Sequence, residues 1–161
     1  VWLCLATGSL AVGQEPDPED ARSGLRMVVS GSEQRAVHGL AARPVFRAIA
    51  GVPEVRGGVG QQVEYSGSLL VRNPGRIRFS ARLSGRLEVV VDGRSVLSGQ
   101  SSGLLVAGEP VELSGGDHEI LIRYWRVEGI EAGELAVFWS GDDFTLEPLP
   151  ADVFSHYLRD G

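Results

Sequence analysis

The side chains able to do chemistry are few and widely separated. His38, His118 and His156 are the only histidines among 161 residues, and a zinc-type site needs two or three to converge with a carboxylate. His118 follows the turn Gly115-Gly116-Asp117 and reads as the start of a strand rather than as a ligand. Asp142 and Asp143 are adjacent after Gly141. They cannot face each other across a scissile bond as the two acids of a glycosidase must, so a solvated turn is expected there, with a loop ion site as the other reading. Serines are plentiful, yet no Gly-x-Ser-x-Gly elbow positions one as a nucleophile, and Tyr65-Ser66-Gly67-Ser68 is too loose a match. Cys4 is the only cysteine and lies in the apolar N-terminal run. Thiolate catalysis, disulfides and thiolate-bound metals are therefore not expected in the mature chain. No enzyme, metal or cofactor is expected.

What remains is the chemistry of binding. Asp92 stands before Gly93 at a strong two-residue hairpin signal. Its carboxylate serves the turn or contacts a ligand. Trp139 shares parity with Leu135 and Val137 and belongs to the core. Trp125 is out of phase with Ile122 and Tyr124, which puts it on the other face with Arg123. There an indole could serve as a stacking platform for a sugar, so Asp92 and Trp125 are the candidate ligand-binding residues. All fifteen basic residues are Arg, the net charge is −6, and no basic patch suited to phosphate is visible. Nucleic acid is thus not an expected partner. Arg76, Arg78 and Arg82 alternate with Ile77, Phe79 and Ala81, and with Arg86 they read as a solvated strand face.

The elements that must position these residues are strands. Residues 1–13 begin with an apolar run, Val1 to Val12, too short to span a bilayer by helix geometry. With Ala11 and Gly13 at the positions before cleavage, they read as a truncated secretory signal. The mature protein is expected outside the cytoplasm, secreted or periplasmic, and without a membrane anchor after cleavage. Residues 14–35 read as an acidic disordered linker, with a short strand at Leu25–Val29. Pro44 and Pro53 break the stretch 39–56 into an irregular lead-in with a helical turn near Phe46–Ala50. From Gln62 the pattern is β. Ile77, Phe79, Ala81 and Leu83 alternate with polar residues, Ser84-Gly85 is expected to turn the chain, and Arg86–Val91 returns to the Asp92-Gly93 hairpin. Arg94–Leu97 comes next as its partner, with brief pairing at Leu104–Val106 and a short strand at Pro110–Leu113. His118–Val127, Glu134–Ser140 and Phe144–Leu146 complete the series. Short strands at roughly ten-residue spacing imply a sandwich or barrel.

In order, these pieces resemble a known family. Asn73-Pro74-Gly75, Ile77-Arg78-Phe79, Val89 to Gly93, Val111 to His118, Ile120 to Tyr124 and Leu135 to Trp139 are similar to the protective-antigen domain of bacterial toxins, glycosidases and fungal adhesins. The resemblance covers about residues 39–155 and implies an all-β, antiparallel β-sandwich over residues 36–156. It also implies a carbohydrate-binding or adhesive role, with a glycan or cell-surface polysaccharide as partner. In the family's calcium-dependent lectins a pair of adjacent aspartates holds the ion; the corresponding positions here read Leu83-Ser84-Gly85, without the carboxylates that Ca²⁺ favours. Ala36 to Leu40, Arg43 to Phe46, Phe144 to Pro150 and His156 further resemble large secreted bacterial proteins in which such a domain precedes a c-type haem or dehydrogenase module. That resemblance implies a spacer role instead, with residues 157–161 starting a linker or further domain and an intramolecular contact to a downstream domain.

Overall fold

The computed structural model describes residues 21–31, 36–48, 62–127 and 133–157. The expected signal segment and residues 14–20 and 32–35 of the expected linker lie outside them, as do residues 158–161. Among these described residues, twelve strands form one continuous antiparallel sheet folded around a shared core. They are β1 (Ala21–Ser23), β2 (Leu25–Ser30), β3 (Val37–Ala41), β4 (Val45–Ala48), β5 (Gln62–Val71) and β6 (Gly75–Val91), then β7 (Arg94–Ala107), β8 (Val111–Leu113), β9 (Gly116–Trp125), β10 (Gly133–Gly141), β11 (Phe144–Pro148) and β12 (Phe154–Tyr157). One 3-10 turn, Ala151–Val153, precedes β12. The main path runs β1-β12-β5-β9-β6-β10-β11; β2 also pairs with β5, β3 with β2, β4 with β10, and β7 and β8 with β6. The result is the all-β antiparallel sandwich that the resemblance implied, one of the two architectures that the strand spacing left open.

β6 organises the whole. Its odd-numbered residues, Ile77 through Val91, are all buried, while Arg76, Arg78, Arg82 and Arg86 are exposed, the solvated face read from their alternation. The turn expected at Ser84-Gly85 is not made. Instead the strand runs on for 17 residues and changes partner. Ile77–Ser84 pair with β10 and Arg86–Val91 pair with β9. A strand that hands over between layers in this way is how a sandwich makes a corner. Gly85 has φ +140°, and a Cβ there would stand 2.6 Å from the Trp125 carbonyl oxygen and 2.7 Å from the Tyr124 ring. The glycine does mark a break in ordinary strand geometry, but the break bends the strand without reversing it. The partner hairpin strand is also longer than expected: β7 pairs with β6 along Arg94–Ala107.

Two expectations for the N-terminal part are corrected. The described part of the supposed linker belongs to the sheet. β1 pairs with β12, β2 pairs with β3 and β5, and Leu25 is fully buried in the core. The strand expected at Leu25–Val29 is therefore real, and its burial outweighs the polar character of its neighbours. The helical turn near Phe46–Ala50 is likewise replaced, over its described residues, by β4, which pairs with Leu135 and its neighbours on β10. Pro44 removes a donor just before this strand, and the Tyr65 hydroxyl donates to the Val45 carbonyl at 3.3 Å. Tyr65, Phe79, Leu83, Ile122, Tyr124 and Leu135 form the fully buried centre.

Candidate functional site

At one end of the β6–β9 ladder lies Asp92. It and Gly93 have φ 51° and 77°, the pair of positive values that an Asp-Gly hairpin turn requires. The turn is tied to β9 from three directions. The Asp92 amide donates to the Glu119 carbonyl at 2.9 Å, Asp92 Oδ1 accepts from the Glu119 amide at 3.0 Å, and Oδ2 lies 2.5 Å from His118 Nδ1. The other ring nitrogen, Nε2, lies 2.7 Å from the Ser114 carbonyl oxygen. Both acceptors lack a proton to give, so the ring satisfies both only as an imidazolium donating from each nitrogen. Burial alone would lower the His118 pKa. The bonds to Asp92 and Ser114, with the charges of Asp92 and Asp117, outweigh it and hold the pKa above its ordinary 6.5. The ring is buried while the Asp92 side chain remains 51% exposed.

At the other end lies Trp125, half-buried on the outward face of β9, as its phase implied. The Arg86 guanidinium stands over its ring, 4.3 Å from the centroid, within cation–π range. Beside it Arg123 bridges Glu64 at 3.3 Å and Glu88 at 4.0 Å. Behind it the Tyr124 hydroxyl donates to the Ser84 carbonyl, and burial pushes this phenol up to about 12, so it stays a neutral donor. Trp125 is paired opposite Arg86, and Asp92 lies six residues further along β6, about 20 Å away on a strand rising ~3.4 Å per residue. The two candidate residues are therefore not brought together, and no single sugar ring reaches both.

The remaining candidates are dispersed. His38 sits on the exposed β3, whereas His156 is buried on β12 with Nδ1 2.9 Å from the Gly24 carbonyl. Among the described residues no three His, Cys, Asp or Glu are grouped to hold a metal ion. Leu83-Ser84-Gly85 occupies the bend of β6, where Leu83 is fully buried. Asp142 and Asp143 are exposed in the β10–β11 turn, and Asp142 Oδ2 accepts from the Arg76 amide at 3.3 Å. Trp139 is a core residue, as its parity implied. It is 6% exposed, its Nε1 donates to Glu147 at 2.9 Å, and its ring lies 5.4 Å from Phe144. Sequence reasoning missed the Asp92–His118 pair and the Arg86–Trp125 stack. The parity of Arg86 and Trp125 already places both outward, but only the strand register shows that they are opposite.

No protein-family model matches the chain, and no curated protein matches it. Solved structures do. An anti-sigma factor domain-containing protein superposes with a TM-score of 0.72 at 20% identity, covering 86% of this chain and 48% of that one; the chain spans about half the length of that structure. The PA14 sugar-binding domain from an RTX adhesin superposes with a TM-score of 0.67 at 16% identity, covering 83% of this chain and 98% of that domain. The Epithelial Adhesin 6 A domain from Candida glabrata, solved in complex with Galb1-3GlcNAc, gives a TM-score of 0.66 at 12% identity, with 92% of each chain covered. At such identities the likeness is one of fold.

Proposed function

We propose that this chain, a β-sandwich of the PA14 type, is a non-catalytic binding module for carbohydrate on a cell surface or polysaccharide, acting outside the cytoplasm. The observation that carries the reading is the fold, shared with a sugar-binding adhesin domain and with an adhesin domain solved with a disaccharide. Trp125 with Arg86 is the ligand-contacting pair. In this reading the indole face that Arg86 leaves uncovered receives the C–H side of a sugar ring, and the guanidinium stacked on the opposite face offers donors to hydroxyls at the ring's edge. Asp92, with both carboxylate oxygens turned toward β9, acts in this reading by holding the hairpin. Neither an acid pair nor calcium is required at the bend of β6.

The test is glycan-array binding of the chain with and without calcium, followed by Trp125→Ala and Asp92→Asn. Specific binding that falls at least about tenfold in Trp125→Ala, a loss of ~1.4 kcal/mol, and survives Asp92→Asn supports the reading. A second reading is a spacer that positions other parts of a longer exported protein, including a c-type haem or dehydrogenase module. It is favoured by the match that spans about half of a longer chain. No binding to any glycan in either condition would overturn the first reading and leave the spacer.

A further inference from the structure

A groove of about 440 Å³ opens where β2 and β12 meet along the same edge of β5. β2 pairs with Gln62–Ser66 and β12 with Ser68–Leu69, so the edge passes from one strand to the other at Gly67. No side chain fits at that point. A Cβ on Gly67 would stand 2.4 Å from the Ser155 carbonyl oxygen and 2.9 Å from Leu25. The Arg26 guanidinium spans the gap by donating to the Tyr157 carbonyl. The volume lies in the range of small-molecule sites, ~300–1,000 Å³.

The chemistry of the lining is specific. Ser66 is paired opposite Leu121 and Ser68 opposite Glu119, and residues of matching parity on paired strands project from the same face. The groove thus sets two hydroxyls beside one apolar side chain and one carboxylate. A second carboxylate, Asp117, stands two residues along β9 on the same side. Both acids are exposed, and neither carboxylate has an ion pair or hydrogen bond among the described residues. The cations of the lining are engaged elsewhere: Arg26 donates to a backbone carbonyl, and His118 donates to Asp92 and Ser114.

We infer that this groove is a second binding site, separate from the Trp125 platform, for an amino sugar with a free ammonium group. Leu121 receives the apolar face of the ring. Ser66 and Ser68 exchange hydrogen bonds with its hydroxyls, and Glu119 with Asp117 takes the ammonium. An N-acetylated sugar keeps the hydroxyls but loses the charge. A polyamine keeps the charge but loses the ring.

The experiment is calorimetric titration of the full chain with a glucosamine trimer, an N-acetylglucosamine trimer and spermidine. The glucosamine trimer is expected to bind at least about tenfold more tightly than either comparator. Glu119→Gln, a conservative change at an exposed position, is expected to remove most of that preference while leaving the melting curve intact, and Ser68→Ala to weaken the trimer alone. Trp125→Ala is expected to leave it unchanged, which separates this site from the platform. Absent binding of the glucosamine trimer, equal binding of spermidine, or full binding by Glu119→Gln would each overturn the inference.

Discussion

Replacing Asp92 with Asn tests whether His118 is charged in the folded protein. Asn tolerates the positive φ of 51° at this position, and its amide oxygen still accepts from the Glu119 amide, which Asp92 binds at 3.0 Å. Only the charge facing His118 Nδ1 at 2.5 Å is lost. A hydrogen bond to a charged group contributes ~1.5–3 kcal/mol. The carboxylate is 51% exposed, and screening by solvent places the expected loss near the bottom of that range, about 1–2 kcal/mol. For a domain of this size that lowers Tm by about 2–8 °C. The loss also depends on pH. Because the folded pKa lies above 6.5, the folded state holds more protons than the unfolded state just above that value. The stability from the pair is complete below 6.5 and declines as pH rises through the folded pKa. In Asp92→Asn the neutral ring can accept from the new amide at Nδ1 and donate from Nε2 to Ser114, so this decline disappears. Denaturant unfolding of both proteins at about pH 6 and about pH 9 should show a gap that narrows at the higher pH. A gap of equal size at both would refute the imidazolium assignment.

Three further outcomes are expected from the packing. Leu25→Ala should cost about 2–5 kcal/mol, as a fully buried leucine does; a melting curve like that of the parent would restore the linker reading of this segment. Gly85→Ala should cost more than about 3 kcal/mol, because the methyl meets the Trp125 carbonyl at 2.6 Å in a strained backbone. Gly93→Ala, with φ +77° but open space around it, should lose only about 1–2 kcal/mol, and equal losses in the two glycine variants by thermal melting would remove the packing argument for the bend.

Much of the strand pattern is legible in the residues because alternation reports burial one residue at a time. Ile77, Phe79, Ala81 and Leu83 need no partner to declare their face, and Asp92-Gly93 declares its turn because few residues tolerate two positive φ values. The same locality explains the failures. Ser84-Gly85 looks like a turn whether the chain reverses or bends, and only the exchange of β10 for β9 along β6 decides between them. Ala21–Ser30 lies in a run polar enough to read as a linker, and only its strand pairing and the core around Leu25 show that it is held. Asp92 and His118 are twenty-six residues apart, and nothing local to either announces the other.

Local pattern is enough to make this protein all-β, to put Trp139 inside and Trp125 outside, and to form the Asp92-Gly93 hairpin. Each of these rests on parity or on backbone preference within a few residues. Which outward residues become neighbours is settled only when the strands assemble. Their assembly set Arg86 over Trp125, drew both oxygens of Asp92 toward β9, and opened a groove where β2 and β12 meet along β5, with Ser68 opposite Glu119. The reason is register. Pairing between strands far apart in the chain sets those contacts, and alternation tells which face a side chain occupies but not what lies across from it.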